Sequence, residues 1–321
     1  MTNVLIVLTL PDAIRDRYRD RIAAVSPSLR VNVVDHHDKV DPYIGDAEVL
    51  VTFGPMMTDR VFRNAPALKW VQALGSGVDG IVDQPSLRPG TIVTNIRGIH
   101  GAPVAEAALC SMLALARDLP RSVRAQQKHR WERAPSRTLQ GKTVVIAGVG
   151  LIAEALAPRC KALGMQVVGV SATPRAAPGF DRIEPRSRLI DLAGEADHFV
   201  LLVPHTDENH HLVDTRVLSA MKRTAFLVNL ARGGVVDEQA LIEALASRRI
   251  AGAALDVFAT EPLPPNHAFW DMDNVIVTPH LGGFFDEYPD MALPVIEDNF
   301  RKFLAGDRAG MINLVQGQDS P

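Results

Sequence analysis

Short apolar runs rich in β-branched residues alternate with stretches of helical periodicity along most of the chain. NVLIVLT comes first, a helix is predicted from about Pro11 to Val25, and VNVV, VLVTF, WVQAL and TIVTN follow within the first hundred residues. Strands that alternate with helices predict a parallel sheet with both faces covered. From about His100 to Arg130 the pattern is helical, APVAEAALCSMLALARDLPRSVRAQQKHR, with a break expected near Pro120. Its face of small and apolar residues is too broad to stand in water, so this region is predicted to pack at a domain junction or against another subunit. A second alternating series opens at Lys142: TVVIAG, a helix, QVVGV, a polar and Pro-rich stretch, HFVLLVP, a helix, AFLVNLA, a helix, GAALDV and NVIVTP. The last segment, from about Tyr288 to Leu304, reads as an amphipathic helix that returns to the first domain.

This order predicts an α/β protein with two doubly wound parallel-sheet domains. The larger, residues 101–285, is inserted in the smaller, residues 1–100 plus 286–321. With 34 basic and 37 acidic residues the net charge is -3, which gives no footprint for nucleic acid or an anionic membrane. MTNVLIVLTL lacks a basic leader and runs straight into DAIRDRYRDR, so it reads as a first strand and helix rather than a signal peptide. No segment approaches the roughly 18 consecutive apolar residues of a membrane span. Cys110 and Cys160 lie in apolar helical stretches without metal or redox spacing, so both are expected to be buried free thiols of a cytoplasmic protein.

The apolar run VVIA leads into Gly148, Val149, Gly150, Leu151, Ile152 and Ala153 and then into a helical pattern. In such a strand-turn-helix the first glycine permits a tight turn and the second lets a pyrophosphate approach the N–H groups at the helix start. The third serves helix-to-strand packing, for which Ala153 suffices. A dinucleotide is the expected ligand. An acid that would bond a ribose 2′-hydroxyl is missing after QVVGV; Ser171 stands there with Arg175 nearby, which favours NADP over NAD. The alternative for Arg175 is a solvated loop residue.

Three further segments each place one ionisable residue beside Gly or Pro, as expected for loops past strand ends: Arg232 in NLARGGVVDE, Glu261 in DVFATEPLP and His280 in TPHLGG. A guanidinium can clamp a carboxylate through two parallel hydrogen bonds and leave positive charge beside an adjacent carbonyl. The glycines after Arg232 are expected to let substrate or cofactor approach the backbone. A carboxylate bonded to an imidazole fixes its tautomer and favours its protonated form, which suits His280 to donate a proton to a forming alkoxide. The pairs His36-His37 and His210-His211 suggest no metal, because adjacent side chains point to different faces. Trp70, Trp131 and Trp270 read as core or interface anchors, with Trp131 able to reach a neighbouring subunit.

Together, VVIAGVGLIAEALA, NLARGGVVDE, DVFATEPLP and TPHLGG resemble the D-isomer-specific 2-hydroxyacid dehydrogenase family, and the resemblance covers nearly the whole chain. It implies a nicotinamide cofactor in the cleft between two domains and hinge closure around a small 2-keto or 2-hydroxy acid of the glyoxylate or hydroxypyruvate kind. LGSGVDG resembles the family's substrate loop, implying Leu74, Ser76 and Gly77 as substrate contacts beside Arg232. HFVLLVPHTDENHHLV resembles the segment lining the cofactor, implying Val203, Pro204 and Asn209. Leu230, Ala231, Asp256 and Gly282 take cofactor positions by the same resemblance, with Asp256 facing the nicotinamide amide. VAEAALCSMLALAR resembles the interdomain helix and implies a homodimer. The chain departs from the family pattern at Ala153, at Ser171 and in GGFFDEYPD, where Phe284, Phe285 and Tyr288 follow His280. Phosphite and formate dehydrogenases and NAD-sensing corepressors resemble the same fold; the Arg-Glu-His set alone does not exclude the phosphite case, and the short C-terminal tail argues against a scaffold role.

Overall fold

The computed structural model describes residues 1–316. It divides into two compact units, one of Met1–Ile99 with the chain from Asp286 onward, the other of His100–Phe285. The smaller unit begins with β1 (Thr2–Val7), α1 (Asp12–Ala23), β2 (Leu29–Val34), α2 (Asp41–Ile44), β3 (Val49–Thr52), α3 (Asp59–Arg63), β4 (Trp70–Ala73) and β5 (Ile92–Thr94). The larger holds α4 (Gly101–Ala116), α5 (Leu119–Gln127), β6 (Thr143–Ala147), α6 (Leu151–Ala162), β7 (Gln166–Ser171), β8 (Arg182–Pro185) and α7 (Leu189–Glu195). It continues through β9 (His198–Leu201), α8 (Thr215–Ala220), β10 (Phe226–Asn229), α9 (Glu238–Ala246), β11 (Gly252–Leu255) and β12 (Val275–Val277). The chain then rejoins the smaller unit as α10 (Tyr288–Leu304) and β13 (Leu314–Gln316).

Seven parallel strands form the larger sheet in the order β12-β11-β10-β9-β6-β7-β8, so the winding reverses beside β6. In open α/β sheets the carboxyl ends of the strands on either side of such a reversal form the ligand crevice. Both faces are buried, as β6 shows: Val145 and Ala147 belong to one core, while Val144 and Ile146 join a second core with Ala153, Leu156 and Ala157 of α6. A continuous apolar run, TVVIA, is what a strand covered on both sides requires.

The smaller sheet runs β13-β5-β4-β3-β1-β2, with β13 antiparallel. Helix α10 is tied to α1 by ion pairs Arg17–Asp290 and Arg21–Glu297, and buried Asn299 donates to Gln72 Oε1 at 3.1 Å while accepting from the Ile312 N–H at 2.6 Å.

Several details depart from the sequence reading. The helical region does break near Pro120, but the turn is made by Asp118 at φ 51°, and Pro120 itself occupies the first turn of α5, where its missing N–H costs nothing. The polar stretch after β7 contains an edge strand, β8, and then α7. Cys110 is exposed, and only Cys160 is a buried thiol. Of the tryptophans, Trp70 alone is core; Trp131 is 92% exposed and Trp270 50%. Among the described residues, no helix is long and apolar enough to cross a membrane.

Candidate functional site

At the carboxyl end of β6, Gly148 turns at φ +99°, and a side chain there would lie 2.7 Å from the Leu202 carbonyl oxygen, so glycine is required by the approach to the end of β9. Gly150 differs: a Cβ on it would meet nothing within 4 Å. It caps the start of α6 without a side-chain acceptor, and Leu151 and Ile152 open that helix. An open cradle over helix N–H groups is the space a pyrophosphate fills, so the residues present fit a dinucleotide. Ala153 is fully buried against β6 and meets the packing demand of the third position. Around the same rim, Ser171 Oγ accepts from the Thr173 N–H at 3.2 Å, and Arg175 contacts the Glu154 carboxylate rather than projecting alone into water. Val203 and Pro204 follow β9, and Asn209 Nδ2 donates to the Pro204 carbonyl at 2.9 Å.

The three ionisable residues follow adjacent strands, Arg232 after β10, Glu261 after β11 and His280 after β12. His280 Nδ1 lies 2.7 Å from Glu261 Oε2, with the side chains 36% and 27% exposed. Glu261 Oε1 accepts the Phe258 N–H at 3.0 Å, which orients the carboxylate. Burial pushes the Glu261 carboxyl up, but the hydrogen bond and charge of His280, the Phe258 N–H and the charge of Arg232 outweigh it and hold the group below the usual carboxylate range. Glu261 is carried by a β11–β12 crossover that contains no α-helix; PLPP gives it a Pro-rich loop instead.

Backbone packing sets these loops. A Cβ on Gly233 would fall 1.9 Å from the Phe258 carbonyl carbon, and one on Gly234 would fall 2.6 Å from His205 Nε2. The glycines after Arg232 therefore admit the protein's own Glu261 loop and an imidazole. Asn229, buried at the end of β10, donates to the Arg232 carbonyl at 3.2 Å and accepts the Ala231 N–H at 3.1 Å. The Arg232 guanidinium also donates to the Ala231 carbonyl at 2.7 Å, and Leu230 packs near Gly282.

Asp256 organises the His280 turn. Its carboxylate accepts from Thr278 Oγ1 at 2.5 Å, the Leu281 N–H at 2.8 Å and the Gly282 N–H at 2.7 Å, while its carbonyl accepts the His280 N–H at 2.8 Å. These bonds offset the strain of His280 at φ 54°, a left-handed conformation unfavourable for a residue with a Cβ. His100, buried before α4, lies where a Cβ on Gly283 would meet its Cδ2 at 2.9 Å; burial and the charge of Arg232 push its pKa down, so it is neutral at pH 7.

In the smaller unit the loop after β4 carries Leu74, Ser76 and Gly77. Leu74 is fully buried and its N–H donates to the Thr52 carbonyl at 2.8 Å, so neither its side chain nor its N–H is left for a substrate. The Ser76 carbonyl accepts from Asn95 Nδ2 at 2.7 Å, which ties the loop to the end of β5. His36 and His37 do not diverge as adjacent residues on a strand would. The chain leaves β2 in a turn where His36 Nδ1 accepts the Asp38 N–H, and donor atoms of His36, His37 and Asp38 lie within 4.8 Å of one another.

Sequence reasoning passed over Asn229, Glu154, His100 and the Glu238–His267 pair. Glu238 receives the Ala259 N–H at 3.3 Å and contacts His267 Nε2 at 3.1 Å, bracing the Glu261 loop against α9. Only Asn229 left a signal, as the one polar residue inside AFLVNLA.

A two-domain, doubly wound α/β protein with a dinucleotide cradle and an Arg-Glu-His edge is the class this architecture defines. Residues 109–282 match the family described as D-isomer specific 2-hydroxyacid dehydrogenase, NAD binding domain. The D-3-phosphoglycerate dehydrogenase of Methanocaldococcus jannaschii is 35% identical over 276 residues, 84% of this chain and 52% of that protein. The glyoxylate reductase of Pyrococcus horikoshii is 35% identical over 249 residues, 74% of each chain. A crystal structure of a D-isomer specific 2-hydroxyacid dehydrogenase from Xanthobacter autotrophicus in complex with NADPH and MES is 33% identical, with a TM-score of 0.80 over 99% of both chains. The chain belongs to the D-isomer specific 2-hydroxyacid dehydrogenase family, and its larger unit is that family's NAD(P)-binding domain. It spans about half the length of the phosphoglycerate dehydrogenase it matches.

Proposed function

We propose that this protein reduces a small 2-keto acid of the glyoxylate or hydroxypyruvate kind to the 2-hydroxy acid, using NADPH or NADH with a preference for NADPH. The observation that carries the reading is the His280–Glu261 pair at 2.7 Å on the strand edge that also presents Arg232.

Gly148, Gly150, Leu151 and Ile152 would hold the cofactor pyrophosphate, Ser171 and Arg175 the adenosine ribose, and Val203, Pro204, Asn209, Leu230, Ala231, Asp256 and Gly282 the rest of the groove. When bound, the reduced nicotinamide supplies the hydride. Arg232 pairs with the substrate carboxylate and places positive charge beside the 2-carbonyl, which polarises it. Protonated His280 donates its Nε2 proton to the carbonyl oxygen as negative charge develops there, and Glu261, bonded to Nδ1, fixes the tautomer and stabilises the imidazolium until transfer. In the oxidative direction neutral His280 accepts the hydroxyl proton. Ser76 and Gly77 present backbone N–H groups to the carboxylate, and the protein acts as a homodimer.

Initial rates with NADH and NADPH across glyoxylate, hydroxypyruvate, pyruvate and bulkier 2-keto acids test the proposal. Turnover of at least one small 2-keto acid, faster with NADPH, is expected; oxidation of phosphite or formate with no keto-acid turnover would replace it.

A further inference from the structure

The loop between β7 and β8 carries a single basic residue, Arg175, and the structure gives it a partner that bears on the choice of cofactor. Its guanidinium, half exposed, contacts the carboxylate of Glu154. Glu154 stands in the first turn of α6, its N–H bonded to the Gly150 carbonyl at 2.9 Å, so it shares a turn with the open cradle. The contact is not left to two long side chains alone. Gly179 of the same loop, at φ +81°, lies so close to α6 that a Cβ on it would fall 2.5 Å from Pro158 N, and this second contact holds the loop alongside the helix.

A carboxylate in the first turn suits the helix, but it repels any second anion brought to the same N–H groups. Arg175 cancels that repulsion while its guanidinium stays on Glu154. An adenosine ribose with a 2′-hydroxyl leaves the pair undisturbed. A 2′-phosphate, attracted to the only cation on the loop, must draw the guanidinium away and uncover the Glu154 charge beside the pyrophosphate.

We infer that Glu154 is a specificity-determining residue of the cofactor site: it competes with the ribose 2′-phosphate for Arg175 and so narrows the preference for NADPH over NADH. The inference rests on the reading that a nicotinamide cofactor lies along Gly148 to Ala153. It makes the protein a dual-cofactor reductase whose selectivity is restrained by an acid on the helix rather than set by Ser171 alone.

The test is a double-mutant cycle on the full chain, with kcat/KM for NADPH and NADH at fixed low ionic strength and cofactor Kd from fluorescence titration. Glu154→Gln, isosteric at a partly buried position, should raise the NADPH to NADH ratio of kcat/KM by roughly three- to fivefold, through KM with kcat unchanged, the scale of a solvent-screened charge pair. The gain should shrink in high salt. Arg175→Ala should weaken both cofactors, NADPH by losing its partner and NADH because Glu154 is left uncompensated; adding Glu154→Gln should restore NADH and not NADPH. A ratio that is unchanged or falls in Glu154→Gln, or an Arg175→Ala effect on NADH that is the same in both backgrounds, overturns the inference. If wild type binds neither cofactor, or Gly150→Val binds both as wild type does, the cofactor reading itself has failed and the inference falls with it.

Discussion

His280 sits in an unfavourable backbone conformation because its own N–H and two that follow it are claimed by one buried residue, Asp256. Its side chain is thereby aimed at Glu261, and the division of labour along this edge has separable consequences. On the proposed reading His280→Ala removes the proton donor and should lower kcat for keto-acid reduction by roughly 10²–10⁴ with cofactor affinity nearly unchanged. Arg232→Ala should damage substrate binding and turnover together, since on the same reading one group both holds the carboxylate and polarises the carbonyl. Steady-state kinetics with cofactor titration separate the two; a His280→Ala enzyme with wild-type kcat would remove His280 from the chemistry. Arg232, Glu261 and His280 are legible in the sequence because Gly and Pro mark their loops. The contacts that brace those loops are not. Asp256 meets Leu281 from 25 positions away and Glu238 meets His267 from 29, and nothing in either local pattern announces the other.

At the scale of elements, β6, the Gly-rich turn and α6 follow from the apolar run and the two glycines. A sequence match cannot say that Gly148 is packed while Gly150 is open; that distinction comes from how near the end of β9 lies. Gly150→Val should therefore fold and lose cofactor affinity, because its side chain enters the pyrophosphate position. Fluorescence titration with NADPH measures this, and unchanged affinity in the folded variant would move the cofactor elsewhere. Edge strand β8 was illegible for the opposite reason: only partly buried, it has no apolar run to betray it. Strand β9 carries a different consequence, since it begins with buried His198, whose pKa is pushed by burial from 6.5 down to about 4, with Asp197 opposing the shift and Arg137 and Lys142 adding to it. A group that binds protons more weakly folded than unfolded has no effect above pH 6.5 and destabilises the fold increasingly as pH falls toward 4. The loss should reach roughly 3 kcal/mol. Urea midpoints at pH 7 and pH 4.5 should fall less in His198→Gln than in wild type; an equal fall would assign acid sensitivity to other groups.

For the whole molecule, the helical pair α4 and α5 and the segment after it leave Leu113, Leu119, Val123 and Trp131 exposed. Such a stretch is expected to be covered by a second copy. Sedimentation at micromolar concentration should give a dimer, and a single species near 35 kDa would contradict it. The insertion of one α/β unit within another is legible in the sequence through the amphipathic pattern of α10, which the structure ties to α1. Glu261 and His280 stand as an ion pair at the carboxyl edge of the larger sheet. Glu261 is held below the usual carboxylate range, so its negative charge is present throughout neutral and alkaline pH. The direct measurement is the pH dependence of keto-acid reduction in wild type and Glu261→Gln. Without the carboxylate the imidazolium loses its stabilising charge, and the alkaline limb of kcat/KM should move to lower pH while the hydrogen-bonding geometry is kept. An alkaline limb that stays where it is in wild type would show that Glu261 does not serve His280 and would contradict the account.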